Sequence, residues 1–275
     1  MCGSFDQYEE ERSSRDALIY KAFFRPENDK TVFVLPGDCF PPEAYFPLAE
    51  HLHRASVNAF VIDYLAACEE VPDRELRDEH CAGAAAKIIR RIRERFPLRR
   101  DGGDYLLGHS RGANIGIGVL GQTQLSGGLI LHAPYIRWKH AHYPHSLSLI
   151  CEVAPQLLLR DQVRLRFKTF RRRFFGDTVT EEEARRYYLH SRGIPRGLLL
   201  DKGEFDLEVL RGTRLFIYLY ADDAVLPEES ATRTLNSLNK LLDLKPDVIT
   251  LPGAHCKLIS SPEVCVAHMV QQCLS

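Results

Sequence analysis

What this sequence has least of is charge of one sign: 36 Lys and Arg stand against 37 Asp and Glu, for a formal net charge of -1. A nucleic-acid binder carries a basic surplus to neutralise phosphates, so no nucleic-acid partner is expected. Long apolar runs are missing too. The longest are too short and too interrupted to cross a bilayer, which takes about 20 consecutive apolar residues. Met1 to Asp16 is polar and leans acidic, without the basic start and apolar centre of a secretory leader. Cysteine occurs at positions 2, 39, 68, 81, 151, 256, 265 and 273, but never as a CxxC pair. Spacing this loose builds neither a small zinc site nor a compact disulfide framework, and points to reduced thiols in a soluble, cytoplasmic protein. There is no internal repeat and no low-complexity tract.

What remains is an ordinary globular composition, 45% apolar over 275 residues, enough for one large α/β domain with an insertion. Short β-branched and aromatic runs alternate with stretches of helical period, the pattern of a mostly parallel sheet flanked by helices. Strands are expected at Thr31–Leu35, Val57–Asp63, Tyr105–Leu107, Gly128–His132, Leu215–Tyr220 and Val248–Leu251, with an edge strand or hairpin over Ala17–Phe24. Glu43–Ala55 reads as a helix. A longer helix is expected from an N-cap at Asp73 to about Phe96, because Cys81, Ala85, Ile88, Ile92 and Phe96 recur at three- to four-residue steps.

From about Pro134 to Arg211 the rhythm breaks over a stretch too long for one crossover. This divides the chain into a core, residues 1–134 and 211–275, and an inserted, mainly helical cap, residues 135–210. Thr180 and Glu183 form a capping box at the head of one cap helix.

Chemistry concentrates at three points. Gly108-His109-Ser110-Arg111-Gly112 fits GxSxG between a strand and a helix of small residues. A turn this sharp strains the serine backbone and leaves no room for bulk at the two glycines, while the helix N-terminus behind it offers N–H groups to a developing anion. Tyr220-Ala221-Asp222-Asp223, after a strong strand, offers a carboxylate. Either aspartate can supply it, and a loop DD pair is also a common turn former. Leu251-Pro252-Gly253-Ala254-His255 offers a base past the last strand. A serine hydroxyl needs an imidazole to take its proton, and the imidazole needs a carboxylate to fix its tautomer. The oxyanion of such a reaction is held by the backbone N–H of Arg111 and a second N–H from Asp38 or Cys39, in the loop Pro36-Gly37-Asp38-Cys39-Phe40.

With these motifs the chain resembles the α/β-hydrolase superfamily, in particular its capped serine hydrolases of the monoacylglycerol lipase, lysophospholipase and prolyl aminopeptidase type. The resemblance covers about Thr31 to Ser275 outside the cap. It implies an eight-stranded-type sheet, hydrolysis of an ester, thioester or amide through an acyl-enzyme on Ser110, and no cofactor. The D-x-x-x-P spacing common in the family also prefers Asp223, four residues before Pro227, as the carboxylate, with Asp222 a turn former. Two departures stand out: Arg111 replaces the usual Met or Gln, and Pro36-Gly37 replaces the usual His-Gly. Asp63 falls where the family often has an aspartate in a structural role.

Between Ile136 and Arg196 there are 13 Lys or Arg and 6 Asp or Glu, an excess of seven positive charges. Such a stretch either is a solvated face or steers an anionic acyl substrate or contacts an acidic membrane surface. The apolar band Leu147, Leu149, Ile150, Val153 and Leu157–Leu159, with Phe167, Phe170, Phe174 and Phe175, is either the core of the cap or an acyl pocket. His140, His142 and His145 lack a carboxylate partner and a second cluster, so no metal site is expected. His132 and Cys256 flank the site by position, with packing as the simplest use of either. The leading expectation is an esterase acting on a small acyl ester, against a non-catalytic receptor on the same fold or an amidase using the same triad.

Overall fold

In the computed structural model, residues 7–13, 17–99, 103–137, 147–201 and 203–274 are described. Eight strands form one sheet: β1 (Gln7–Arg12), β2 (Leu18–Phe24), β3 (Lys30–Leu35), β4 (Val57–Ile62), β5 (Asp104–His109), β6 (Gly128–His132), β9 (Leu215–Tyr220) and β10 (Asp247–Leu251). Their spatial order is β1-β2-β4-β3-β5-β6-β9-β10. The six strands expected from the sequence are the six that run parallel. The Ala17–Phe24 segment supplies β2, which pairs antiparallel with β4 and forms a hairpin with β1.

Parallel strands covered on both faces bury every residue, and β4, β5, β6 and β9 do so along their whole length. Alternation then assigns side chains to one of two cores. Phe33 and Leu35 of β3 join the helices α2 (Asp78–Arg95), α3 (Arg111–Leu120) and α8 (Glu228–Leu242) on one face. Val32 and Val34 join α1 (Phe46–Arg54) and α10 (Pro262–Gln272) on the other. Each fully buried Phe or Leu contributes about 1.5–3 kcal/mol from desolvation.

Helix boundaries hold two adjustments. Glu43–Ala55 divides into a 3-10 turn, Pro42–Tyr45, and α1. The long helix starts at Asp78, with Arg77 rather than Asp73 in the N-cap position. Asp73 is used elsewhere: its carboxylate accepts from Gln162 Nε2 at 2.8 Å and its carbonyl from the Gly197 N–H at 2.7 Å.

Both of those partners lie in the segment between β6 and β9, which carries α4 (Leu147–Leu159), β7 (Gln162–Val163), α5 (Phe167–Phe174), α6 (Glu181–His190), β8 (Ile194–Pro195) and α7 (Arg196–Leu200). A short helix α9 (Lys257–Ser260) precedes α10. The capping box forms: Thr180 Oγ1 accepts from the Glu183 N–H at 3.2 Å, and the Glu183 carboxylate accepts from the Thr180 N–H at 3.1 Å. Phe170, Phe174 and Phe175 are buried, whereas Leu158 and Leu159 are exposed. The segment is fastened to the rest of the chain near the sheet edge. Arg192 pairs with Asp63 and donates its N–H to the Cys39 carbonyl at 2.8 Å, and the Cys256 N–H donates to the Phe174 carbonyl at 2.9 Å. No helix among the described residues is long and apolar enough to cross a membrane, and the seven described cysteines are free thiols.

Candidate active site

In a parallel sheet all strands end on the same edge, and loops leaving that edge build the site. Ser110 follows β5, Asp223 follows β9 and His255 follows β10, so one edge receives all three. Ser110 has φ 52° and ψ -120°, a conformation costly for any residue with a Cβ. Backbone bonds on both sides hold it there: its N–H donates to the His132 carbonyl at 2.9 Å, and its carbonyl accepts from the N–H groups of Ala113 and Tyr135, both at 3.0 Å. The flanking glycines are required by close approach. A Cβ on Gly108 would lie 2.5 Å from the Gly112 carbonyl oxygen, and one on Gly112 would fall on the Leu35 carbonyl.

His255 and Asp223 form a buried pair, 1% and 5% exposed, with Nδ1 to Oδ2 at 2.7 Å. The other Asp223 oxygen accepts from the N–H groups of Val225 (2.8 Å) and Leu226 (2.7 Å), so this carboxylate is acceptor only and His255 Nδ1 carries the proton. That leaves Nε2 bare, buried and with no hydrogen-bond partner among the described residues. The Ser110 hydroxyl is therefore not bonded to it in this conformation. Asp222 is exposed, and the contact made at this turn is by its backbone N–H, to the Gly253 carbonyl at 3.0 Å.

The position next to the serine does more than its place in the motif indicates. His109 Nε2 lies 3.0 Å from the His255 carbonyl oxygen, to which it can only donate. Its Nδ1 is then an acceptor, and takes the Tyr45 hydroxyl proton at 2.6 Å. The Tyr45 oxygen in turn accepts the Gly37 N–H at 2.8 Å. One chain of hydrogen bonds thus runs from the Gly37 loop through the elbow to the backbone of His255, and places the His109 and His255 rings 5.2 Å apart. Burial, reinforced by the neighbouring His255, pushes His109 down to about 3, so its ring stays neutral. His132 is likewise held well below the ordinary histidine range by burial, with its ring stacked on Tyr218 at 4.3 Å. Its side chain packs in the core while its carbonyl holds Ser110.

Arg111 explains its own departure from the usual residue. It is 3% exposed and binds Asp38 through Nε at 2.7 and 2.8 Å and Asp78 through a terminal nitrogen at 3.0 Å. Burial opposes its charge, but the two aspartates outweigh burial and keep the guanidinium protonated. Asn114 and Arg137 complete the cluster on Asp78, at 2.8 and 3.5 Å. The Gly37–Cys39 loop is thereby tied to the head of α3, close enough that a Cβ on Gly37 would lie 2.9 Å from Ser110 Cβ. Cys39 is held at φ 71° in that loop, and burial pushes its thiol far up. Asp63 binds the Ala66 N–H at 3.1 Å besides Arg192, a structural use.

His140, His142 and His145 lie outside the described residues; among the described residues no group of His, Cys, Asp and Glu could hold a metal ion. The sequence reading missed Tyr45, the role of His109, and a buried arginine, Arg173, beside the Asp223–His255 pair. The only signal for His109 was its place between a strand end and the serine, which says where its backbone goes but not what its ring bonds.

No family model matches the chain, and no curated protein matches it in sequence. Solved structures do. An extracellular α/β-hydrolase from a Paenibacillus species, described as sharing structural and functional homology with tobacco salicylic acid binding protein 2, aligns with a TM-score of 0.70 at 16% identity, over 90% of this chain and 100% of that one. An esterase from Exiguobacterium antarcticum aligns with a TM-score of 0.69 at 15% identity, over 98% of this chain and all of the other. A methylesterase from Arabidopsis aligns with a TM-score of 0.64 at 14% identity, over 88% and 98%. Such identities speak to architecture, and with the strand order and the strained serine turn they show that this chain has the α/β-hydrolase fold.

Proposed function

We propose that this protein is a serine hydrolase that cleaves a carboxylic ester, with thioesters next in line, through an acyl-enzyme on Ser110. One observation carries the reading: a buried carboxylate–imidazole pair whose remaining nitrogen is bare and unpartnered, at the sheet edge that also presents a strained serine. An unpaired polar atom in the interior is costly, and a base awaiting a proton is the use that accounts for it. Solved structures of the same fold that are named esterases support the choice of ester.

In this mechanism the Ser110 hydroxyl closes on His255 Nε2, a bond often long in unliganded hydrolases. Ser110 Oγ attacks the acyl carbon as its proton passes to Nε2, and Asp223 stabilises the imidazolium. The oxyanion is met by the N–H of Arg111 and by that of Asp38 or Cys39, none of which donates to a described backbone acceptor. The proton on Nε2 then leaves with the alcohol or thiol. Water, deprotonated by the same nitrogen, releases the acid and restores the serine. The chemistry draws on water alone, and the segment 135–210 serves as a cap that excludes bulk solvent.

A fluorophosphonate probe is expected to label the wild type and not Ser110→Ala, and p-nitrophenyl butyrate to be turned over by the first and not the second. Equal labelling of both proteins removes Ser110 as nucleophile, and labelling without turnover of any acyl ester favours a receptor.

A further inference from the structure

Arg171, Arg172 and Arg173 follow one another at the end of α5. The first two behave as a basic run at a surface does: Arg171 lies 3.5 Å from Glu181, and Arg172 is exposed. Arg173 turns inward and is 8% exposed. No ion pair and no hydrogen bond to a described residue holds its guanidinium, and the opposing charge that acts on it is Asp223. Asp223 is engaged elsewhere and makes no ion pair with it: one oxygen serves the N–H groups of Val225 and Leu226 and the other serves His255.

The location is as specific as the lack of a partner. The neighbouring Phe174 places its ring 5.6 Å from the His255 ring, and its carbonyl holds the Cys256 N–H at 2.9 Å. The end of α5 therefore lies on the proposed base. A largely buried cation with no counter-ion in direct contact is costly, more so than a lost contact at a surface. Burial lowers the Arg173 pKa, with Asp223 opposing; a guanidinium nevertheless keeps its charge at neutral pH. What the guanidinium lacks is an anion in contact with it, and its planar fork of donors fits a carboxylate.

Resting on the hydrolase reading above, we propose that Arg173 is the counter-ion for a carboxylate on the substrate itself, so that the preferred ester is one bearing a free acid group near the scissile bond. The acid belongs to the acyl part or to the leaving group. The rest of the basic excess in residues 136–196 acts at longer range, drawing such anions toward the edge of the sheet.

Two matched pairs of esters test this. In the first, p-nitrophenyl hemiglutarate is compared with p-nitrophenyl hexanoate; in the second, the butyrate ester of 4-hydroxybenzoate with phenyl butyrate. The wild type is expected to favour the anionic member of at least one pair in kcat/KM. In Arg173→Gln that ratio should fall by roughly 30-fold, the loss typical when one partner of a charge-assisted pair is removed, while Arg173→Lys should keep part of it. The ratio is internal to each protein, so a general loss of activity does not mimic the result. A wild type indifferent to charge in both pairs, or a Gln variant that keeps the preference, overturns the proposal. If no ester is turned over, the hydrolase reading fails separately, and Arg173 is judged by thermal stabilisation with glutarate: a shift in the wild type absent from Arg173→Gln sustains the anion site, and equal shifts or none reject it.

Discussion

The Nε2–H of His109 donates to the backbone carbonyl of His255 at 3.0 Å, so the residue before the proposed nucleophile grips the residue proposed as its base. With Tyr45 and Gly37 on the other side of the ring, the loop offering oxyanion donors and the loop carrying the base are set by one chain of bonds. Tyr45→Phe removes the middle of that chain. It leaves the Gly37 N–H without its acceptor and His109 Nδ1 without its donor, an expected loss of about 1–3 kcal/mol in unfolding free energy. Small displacements of reacting groups are costly in rate, so kcat should fall about 10- to 100-fold with KM changed far less. Urea unfolding and steady-state kinetics on one ester check both. A KM effect without a kcat effect would show that Tyr45 shapes binding rather than alignment.

Asp223→Asn and Asp222→Asn separate the two adjacent aspartates. In the first, the amide no longer fixes the tautomer that leaves Nε2 bare, and kcat is expected to drop roughly 10³- to 10⁴-fold. In the second, an exposed side chain is changed and activity should stay within about threefold, as for a surface substitution away from special features. Equal losses in the two variants would mean that the turn geometry, rather than the carboxylate on His255, is what matters.

How much of this was readable beforehand depends on what kind of physics each element rests on. The six parallel strands were visible because each is a short apolar run cut off by Gly, Pro or a polar turn, and all but the edge strand β10 are also largely buried on both faces. β1, with the sequence QYEEER, was not, because an edge strand facing solvent carries no apolar pattern. Asp73 imitates an N-cap, yet its backbone and side chain are spent on Gly197 and Gln162, contacts from more than eighty residues away that no local pattern announces. The candidate triad was legible through order along the chain, each member following a strand. Tyr45, His109 and Arg173 were not. Periodicity tells that a residue is buried but not which atom its ring or guanidinium meets, and three consecutive arginines look solvated until the backbone turns one of them inward.

Arg111→Met, the residue that the resemblance would place here, should cost stability rather than add it. Asp38 and Asp78 are placed around a guanidinium, and without it Asp78 keeps only Asn114 and the more distant Arg137. Breaking a buried pair on one side is expected to cost about 3–5 kcal/mol. Arg111→Lys cannot reach both aspartates with one ammonium and should recover less than half. Replacing all three, with Asp38→Asn and Asp78→Asn added to Arg111→Met, should regain much of the loss, because it removes the unpaired charges. Chemical denaturation of these proteins, with the Asp38→Asn/Asp78→Asn variant closing the cycle, gives the coupling directly. Additive losses would show that the cluster is not a unit.

Stability should also fall on the mildly acidic side before the carboxylates titrate. His109 has a folded pKa of about 3 against an ordinary value of 6.5, and His132 is held well below the same value. For a group whose pKa is depressed by folding, the unfolded chain binds the proton first. The contribution is therefore complete above about pH 6.5 and is lost as pH falls toward the folded pKa. Each ring then costs about 1.4 kcal/mol per pH unit below 6.5. Between pH 6.5 and 5, where most carboxylates stay ionised, the unfolding free energy should decline with a slope near two such rings. His132→Phe keeps an aromatic face on Tyr218 and removes one proton site, so its slope should be about half that of the wild type. A wild-type curve flat over this interval would mean that neither ring is kept neutral by burial.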